Sequence, residues 1–130
     1  MSRAESIASE LLGSAAGDIV LQGDLHHENI LAAHREPWLA IDPKGVIGEP
    51  AYEPGALLRN PMPTILTLPG LEALLAHRAR LLSELLAIDR SRILAWAFVQ
   101  AVLAACWDFE DHALGWEPWL VLARALERIG

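Results

Sequence analysis

The sequence predicts a mainly helical domain carrying one small β-hairpin. Three observations point there. Leucines recur at helical spacing through the second half, an apolar run from Ile93 to Cys106 follows Asp89 as N-cap residue, and two short apolar stretches flank a turn-rich tetrapeptide between Ile30 and Ile41. A chain of 130 residues that is 53% hydrophobic, with a mean hydropathy of +0.28, suits one hydrophobic core, so residues 1–130 are expected to form a single domain.

In chain order, Ala4 to Ala15 puts Ile7, Leu11 and Leu12 on one face and reads as an amphipathic helix packing beneath the loop that follows it. Ile30-Leu31-Ala32-Ala33, the turn His34-Arg35-Glu36-Pro37, and Trp38-Leu39-Ala40-Ile41 form the hairpin. Pro43 to Pro63 is rich in Pro and Gly and reads as irregular, with a short helix around Pro54 to Arg59. Three helices follow: Leu71 to Ala87, Arg90 to Trp107 with Asp89 as N-cap, and Pro118 to Ile129 after Gly115. Asp108, Glu110 and Asp111 then fall in a loop, and Trp96, Trp107, Trp116 and Trp119 are expected in the core.

Cys106 is the only cysteine, which excludes an internal disulfide and suits a reducing compartment; it reads as inert core. Met1 to Gly17 contains Glu5 and Glu10 and no continuous apolar region, and the run from Ile93 to Cys106 is short for a membrane span and contains Gln100. The expected location is the cytoplasm, without a membrane partner. A net charge of −7 argues against nucleic acid, which needs clustered Lys and Arg, and suits a cationic small-molecule ligand. Glu49, Glu53, Asp108, Glu110 and Asp111 are the candidate acidic contacts, with Glu110 and Asp111 the expected substrate residues; the plainer reading of each is a solvated or capping carboxylate.

The densest chemistry lies in Gln22-Gly23-Asp24-Leu25-His26-His27-Glu28-Asn29-Ile30-Leu31 and Ile41-Asp42-Pro43-Lys44-Gly45. Phosphoryl transfer asks the protein for a carboxylate to orient and deprotonate the attacking hydroxyl and for oxygen ligands to magnesium. Asp24 and Asn29 lie five positions apart in one loop, and the hairpin would return Asp42 beside Asn29. A rival reading is a metal site built on His26, His27 and Glu28. Its spacing is unfavourable, because adjacent histidines diverge in most backbone conformations, whereas helical zinc pairs stand three or four residues apart.

Four segments, Gly23 to Leu31, Ala40 to Gly45, Gly48-Glu49-Pro50-Ala51-Tyr52-Glu53 and Leu58-Arg59-Asn60-Pro61, together resemble the aminoglycoside phosphotransferase family, most closely its streptomycin and hydroxyurea type. The resemblance implies the carboxy-terminal lobe of a protein-kinase-like fold and ATP-dependent phosphorylation of an antibiotic hydroxyl. It implies Asp24 as catalytic base, Asn29 and Asp42 as ligands of Mg2+, and ATP as co-substrate. Gln22 stands where the family usually has His, at a position that supports the loop backbone. Arg59 is expected to anchor the segment after Asp42 through Glu49 or Glu53. Only 23 residues precede Asp24, with no Gly-rich loop among them, and the single lysine, Lys44, lies downstream. The amino-terminal ATP lobe is therefore expected to be absent, which leaves a noncatalytic helical remnant or interaction module as the alternative. A homo-oligomer through the surface so exposed is the matching expectation.

Overall fold

The computed structural model describes residues 2–130. Helix α1 (Arg3–Gly13) opens on a capping box: Ser2 Oγ accepts from the Glu5 amide at 3.2 Å, and the Glu5 carboxylate accepts from the Ser2 amide. Strand β1 (Ile19–Leu21) leads into the loop, and a short 3₁₀ turn (His27–Asn29) leads out of it. Strands β2 (Ile30–Ala32) and β3 (Trp38–Ala40) pair antiparallel with Leu31 opposite Leu39, which is the expected hairpin. Strand β4 (Val46–Gly48) returns to pair antiparallel with β1, Val20 opposite Ile47. That second ladder corrects the irregular reading of the stretch after Pro43. Three residues, Val46 to Gly48, carry too short an alternation to announce a strand.

Helix α2 (Gly55–Leu58), α3 (Leu71–Leu86), α4 (Arg90–His112) and α5 (Glu117–Ile129) complete the chain. The Asp89 carboxylate caps α4 by accepting from the Ser91 amide at 3.0 Å, as its position predicts. By length and composition alone α4 could cross a membrane. In the fold it is the core helix on which α1, α2, α3 and α5 all pack. The main core joins Leu58, Ile65, Leu75, Ile93, Leu122 and Leu126, all at most 1% exposed. Each such side chain contributes roughly 1.5–3 kcal/mol by leaving water.

Helix α4 runs to His112, five residues beyond the expected end, because no breaker precedes Gly115; Ala113 closes it in the left-handed region at φ 54°. Asp108, Glu110 and Asp111 therefore sit in its last turns and not in a loop. Asp108 is tied down by Trp119, whose Nε1 donates to Oδ2 at 2.8 Å. The core expectation for the tryptophans holds fully only for Trp96; Trp116 and Trp119 are half-buried, and Trp107 is 56% exposed. Cys106 is also exposed. The buried line on this helix is Ala97, Ala101 and Ala105, and the two following positions turn about 100° and 200° away from it.

Helix α1 seats on α4 and not beneath the loop. Ile7 and Leu11 meet Trp96, Ala51 and Tyr52 in a second, smaller core. Its last turn is held there by Arg92, whose Nη2 donates to the Leu11 carbonyl at 2.9 Å and whose Nη1 donates to Ser14 Oγ at 3.0 Å.

Gly55 shows why α2 can lie against α4. A Cβ added there would fall 2.5 Å from Gln100 Oε1, inside contact distance. Gln100 is buried and donates to the Tyr52 carbonyl at 2.9 Å, so it cannot step aside without losing that bond. Gly55→Ala is expected to destabilise the fold by about 1–3 kcal/mol, the cost of leaving buried polar groups unpaired, read as a lower urea midpoint. An unchanged midpoint would show that Gln100 can move freely.

Candidate active site

Gln22 joins the two halves of the motif. Its Oε1 accepts from the Asp24 amide at 2.6 Å, while its Nε2 donates to the Ile41 carbonyl at 2.6 Å and the Asp42 carbonyl at 3.2 Å. One primary amide thus uses both ends to hold the Asp24 loop against the segment bearing Asp42. Next to it, the Gln22 and Gly23 amides both donate to the Glu53 carboxylate, at 2.7 and 2.9 Å. Gly23 is required by geometry. Its φ is +89°, and an added Cβ would stand 3.0 Å from Lys44 Cβ.

The half-buried Asp24 carboxylate lies between two nitrogens, with Arg59 Nη2 3.4 Å from Oδ1 and His26 Nε2 3.4 Å from Oδ2. His26 Nδ1 accepts from the Glu28 amide at 3.2 Å. That bond leaves the proton of a neutral imidazole on Nε2, the nitrogen facing Asp24. Asn29 is buried, its Nδ2 donating to the Asp24 carbonyl at 2.9 Å. Its amide oxygen bonds to no protein group among the described residues. Asn29 and Asp42 are brought together through the backbone, where the Ile41 amide donates to the Asn29 carbonyl at 2.9 Å beyond the Ile30–Ala40 pair. Asp42 has φ 52°, a conformation that Asp tolerates better than most residues, and its exposed carboxylate carries no protein partner among the described residues.

The other predicted residues are placed differently. Arg59 pairs with Asp24 itself and, through Nε, with Gln100 Oε1 at 3.2 Å, not with Glu49 or Glu53. Glu49 is buried against α4, where Arg92 Nε and Nη2 donate to it at 2.6 and 2.7 Å and Trp96 Nε1 donates at 2.7 Å. The Arg92 bonds outweigh desolvation and hold the Glu49 carboxyl below its ordinary pKa, and Glu49 in turn raises that of Arg92. Both glutamates are thus consumed by the fold and are unsuited to binding a substrate. Glu110 and Asp111 are exposed on the last turns of α4, and no hydrogen bond or ion pair links either to the Asp24 loop among the described residues.

For the rival metal reading, the His26 and His27 rings lie 5.9 Å apart with planes 60° to each other. No three His, Cys, Asp or Glu side chains converge on a metal position among the described residues. Gln100 and Arg92 are supports that the sequence reading does not name, and Glu53, expected to pair with Arg59, instead holds the loop amides. The first two had a signal: Arg92, Trp96 and Gln100 stand four residues apart and form a polar-tipped stripe along an otherwise apolar helix.

A sequence model described as aminoglycoside/hydroxyurea antibiotic resistance kinase matches residues 1–112, spanning this entire constellation. The chain belongs to that kinase family. Streptomycin 6-kinase of Streptomyces glaucescens is 38% identical over 122 residues, covering 93% of this chain and 39% of that protein. Streptomycin 6-kinase of Streptomyces griseus is 37% identical over 124 residues, covering 95% and 40%. Hydroxyurea phosphotransferase of Kitasatospora aureofaciens is 40% identical over 96 residues, covering 73% and 26%. The chain therefore spans about two fifths of the streptomycin kinases it matches. No solved structure matches it at a significant level. Within the kinase family, the fold seen here is a mostly helical unit with two small antiparallel sheets.

Proposed function

We propose that this chain is the catalytic-loop lobe of a kinase-like, ATP-dependent phosphotransferase whose acceptor is a hydroxyl of a small, cationic antibiotic of the streptomycin type. The observation that carries the reading is the Gln22 clamp, which ties a half-buried carboxylate, Asp24, to the segment presenting Asp42. The order strand, loop, hairpin, carboxylate, strand, with the first and last strands paired, supports the kinase-like fold.

In the proposed mechanism, Asp24 Oδ2 accepts the proton of the acceptor hydroxyl as that oxygen attacks the γ-phosphorus of ATP, whose bond to the β–γ bridging oxygen breaks to release ADP. Arg59 and His26 hold the carboxylate in place, and the Nε2 proton of His26 orients its oxygen. The free amide oxygen of Asn29 and the unpaired Asp42 carboxylate fit a hard cation that takes oxygen ligands and keeps several waters. These two residues would hold Mg2+, which when bound neutralises phosphate charge. Glu110, at the rim of a cavity lined by Phe109 and Trp116, and Asp111 beside it are the proposed contacts for acceptor cations. The exposed cross-strand pair Val20 and Ile47, 77% and 68% accessible, supports self-association as part of the same reading.

Titration with Mn2+ followed by NMR tests the metal assignment without requiring turnover. Asn29 and Asp42 are expected to broaden before any other polar residue, and Asp42→Asn to remove that selectivity. Uniform broadening of all exposed carboxylates would refute it.

A further inference from the structure

The half-buried arginines of an acidic chain are normally matched by carboxylates, because a cation taken from water needs compensation. Here Arg59 and Arg92 follow that rule, as do the exposed Arg3, Arg80 and Arg128. Two half-buried arginines do not: Arg90, whose Nη2 donates to the Ile129 carbonyl at 3.2 Å, and Arg78 on α3. Arg78 donates from Nη1 to the Leu57 carbonyl at 3.2 Å and the Asn60 carbonyl at 2.9 Å, which caps the end of α2. No carboxylate approaches it among the described residues, although the chain carries 17 Asp and Glu. Its Nε and Nη2, the edge of a guanidinium that grips a carboxylate or phosphate with two parallel bonds, bond to no protein group among the described residues.

That guanidinium lines a cavity of about 410 Å³ between the catalytic loop and α3. Leu57, Pro61, Leu81 and Leu82 supply its apolar wall, and His27, from the loop itself, and Asn60 supply further polar groups. Among the described residues no acidic side chain lines the cavity, and the nearest carboxylate to His27 Nε2 is that of the exposed Glu28, at 3.9 Å. A largely apolar cavity with one uncompensated cation, an imidazole and an amide is chemically matched to an oxyanion on an apolar body, and mismatched to a polyamine or guanidinium ligand.

We propose that this cavity is an oxyanion-binding site in which the Nε and Nη2 groups of Arg78 take a carboxylate or phosphate group and His27 flanks it. The site is distinct from the Asp24–Asp42 pair and does not depend on the kinase reading. It gives a use to the three N–H donors of Arg78 that bond to no protein group among the described residues.

The test follows the arginine Nε–H and histidine ring resonances of the labelled chain in phosphate-free buffer, titrated separately with inorganic phosphate and with hexanoate. Saturable shifts at Arg78 and His27 with a Kd of about 1 mM or tighter, and little movement of the exposed Arg35 and Arg124, are expected. Saturation by phosphate alone assigns phosphate-bearing ligands; saturation by hexanoate alone assigns carboxylates with an apolar tail. Arg78→Lys keeps the charge but loses the fork and is expected to weaken binding about tenfold or more. Because Arg78 also caps α2, His27→Ala, an exposed position, provides a second variant, expected to weaken binding about threefold. Shifts that fail to saturate, that move Arg35 and Arg124 equally, or that persist in both variants would overturn the proposal.

Discussion

Asp24→Asn is expected to lower phosphate transfer from Mg-ATP to streptomycin by about 10²–10⁴-fold, the usual contribution of a positioned general base, while leaving the fold intact. Asn is nearly isosteric, and the backbone bond from the residue-24 amide to Gln22 survives the change. The lost interactions are long: Arg59 and His26 each stand 3.4 Å from the carboxylate, whose side chain is 32% exposed. The expected stability change is therefore small, whereas an amide at this position cannot accept the acceptor proton. Turnover would be compared in this chain and in a chimera where it replaces the matching segment of the Streptomyces glaucescens kinase, with thermal melting as the folding control. Transfer at the unsubstituted rate in the variant chimera would remove Asp24 from the role of base.

The second large effect is structural. Arg92→Ala is expected to cost about 3–5 kcal/mol, the range for removing one partner of a buried ion pair, out of a total stability of about 5–15 kcal/mol for a domain of this kind. Glu49 is only 6% exposed and accepts both Arg92 bonds on its two oxygens. Truncation would leave that carboxylate buried with Trp96 as its remaining donor, and would also free the last turn of α1. Urea unfolding reads the loss directly. A change below about 1 kcal/mol would mean that water replaces the guanidinium, as at surface pairs.

The same pair fixes a direction for pH. The Glu49 carboxyl lies below its ordinary value of 4.5 in the native state, mainly through the Arg92 bonds. The unfolded chain therefore binds a proton first. The stability from this pair is fully present above that ordinary value and declines as pH falls towards the lowered native one. Glu49→Gln should flatten that part of the profile while lowering stability at neutral pH.

How much of this was legible beforehand depended on the range of the interaction. The hairpin, α3, α5 and the Asp89 cap were readable because periodicity and capping are written in neighbouring residues. The β1–β4 ladder was not, since it pairs residues 27 positions apart, Val20 with Ile47, through strands too short to show alternation. The end of α4 was misplaced for a related reason: the apolar run stops near Trp107, but helix propensity and the Asp108–Trp119 bond carry the helix to His112.

The candidate site divides in the same way. The sequence by itself determined which chemistry-bearing side chains are present, Asp24, Asn29 and Asp42, and, with the segments around them, the family. Such chemistry depends on side-chain type, which the chain states outright. The tertiary structure alone decided the partners: Gln22 as the clamp between loop and hairpin, Arg59 turned to Asp24, Glu53 spent on loop amides, Glu49 buried beneath Arg92 and Trp96, and Arg78 left without a carboxylate. A charged side chain selects among several partners by distance and burial, and those quantities exist only after helices from opposite ends of the chain have packed.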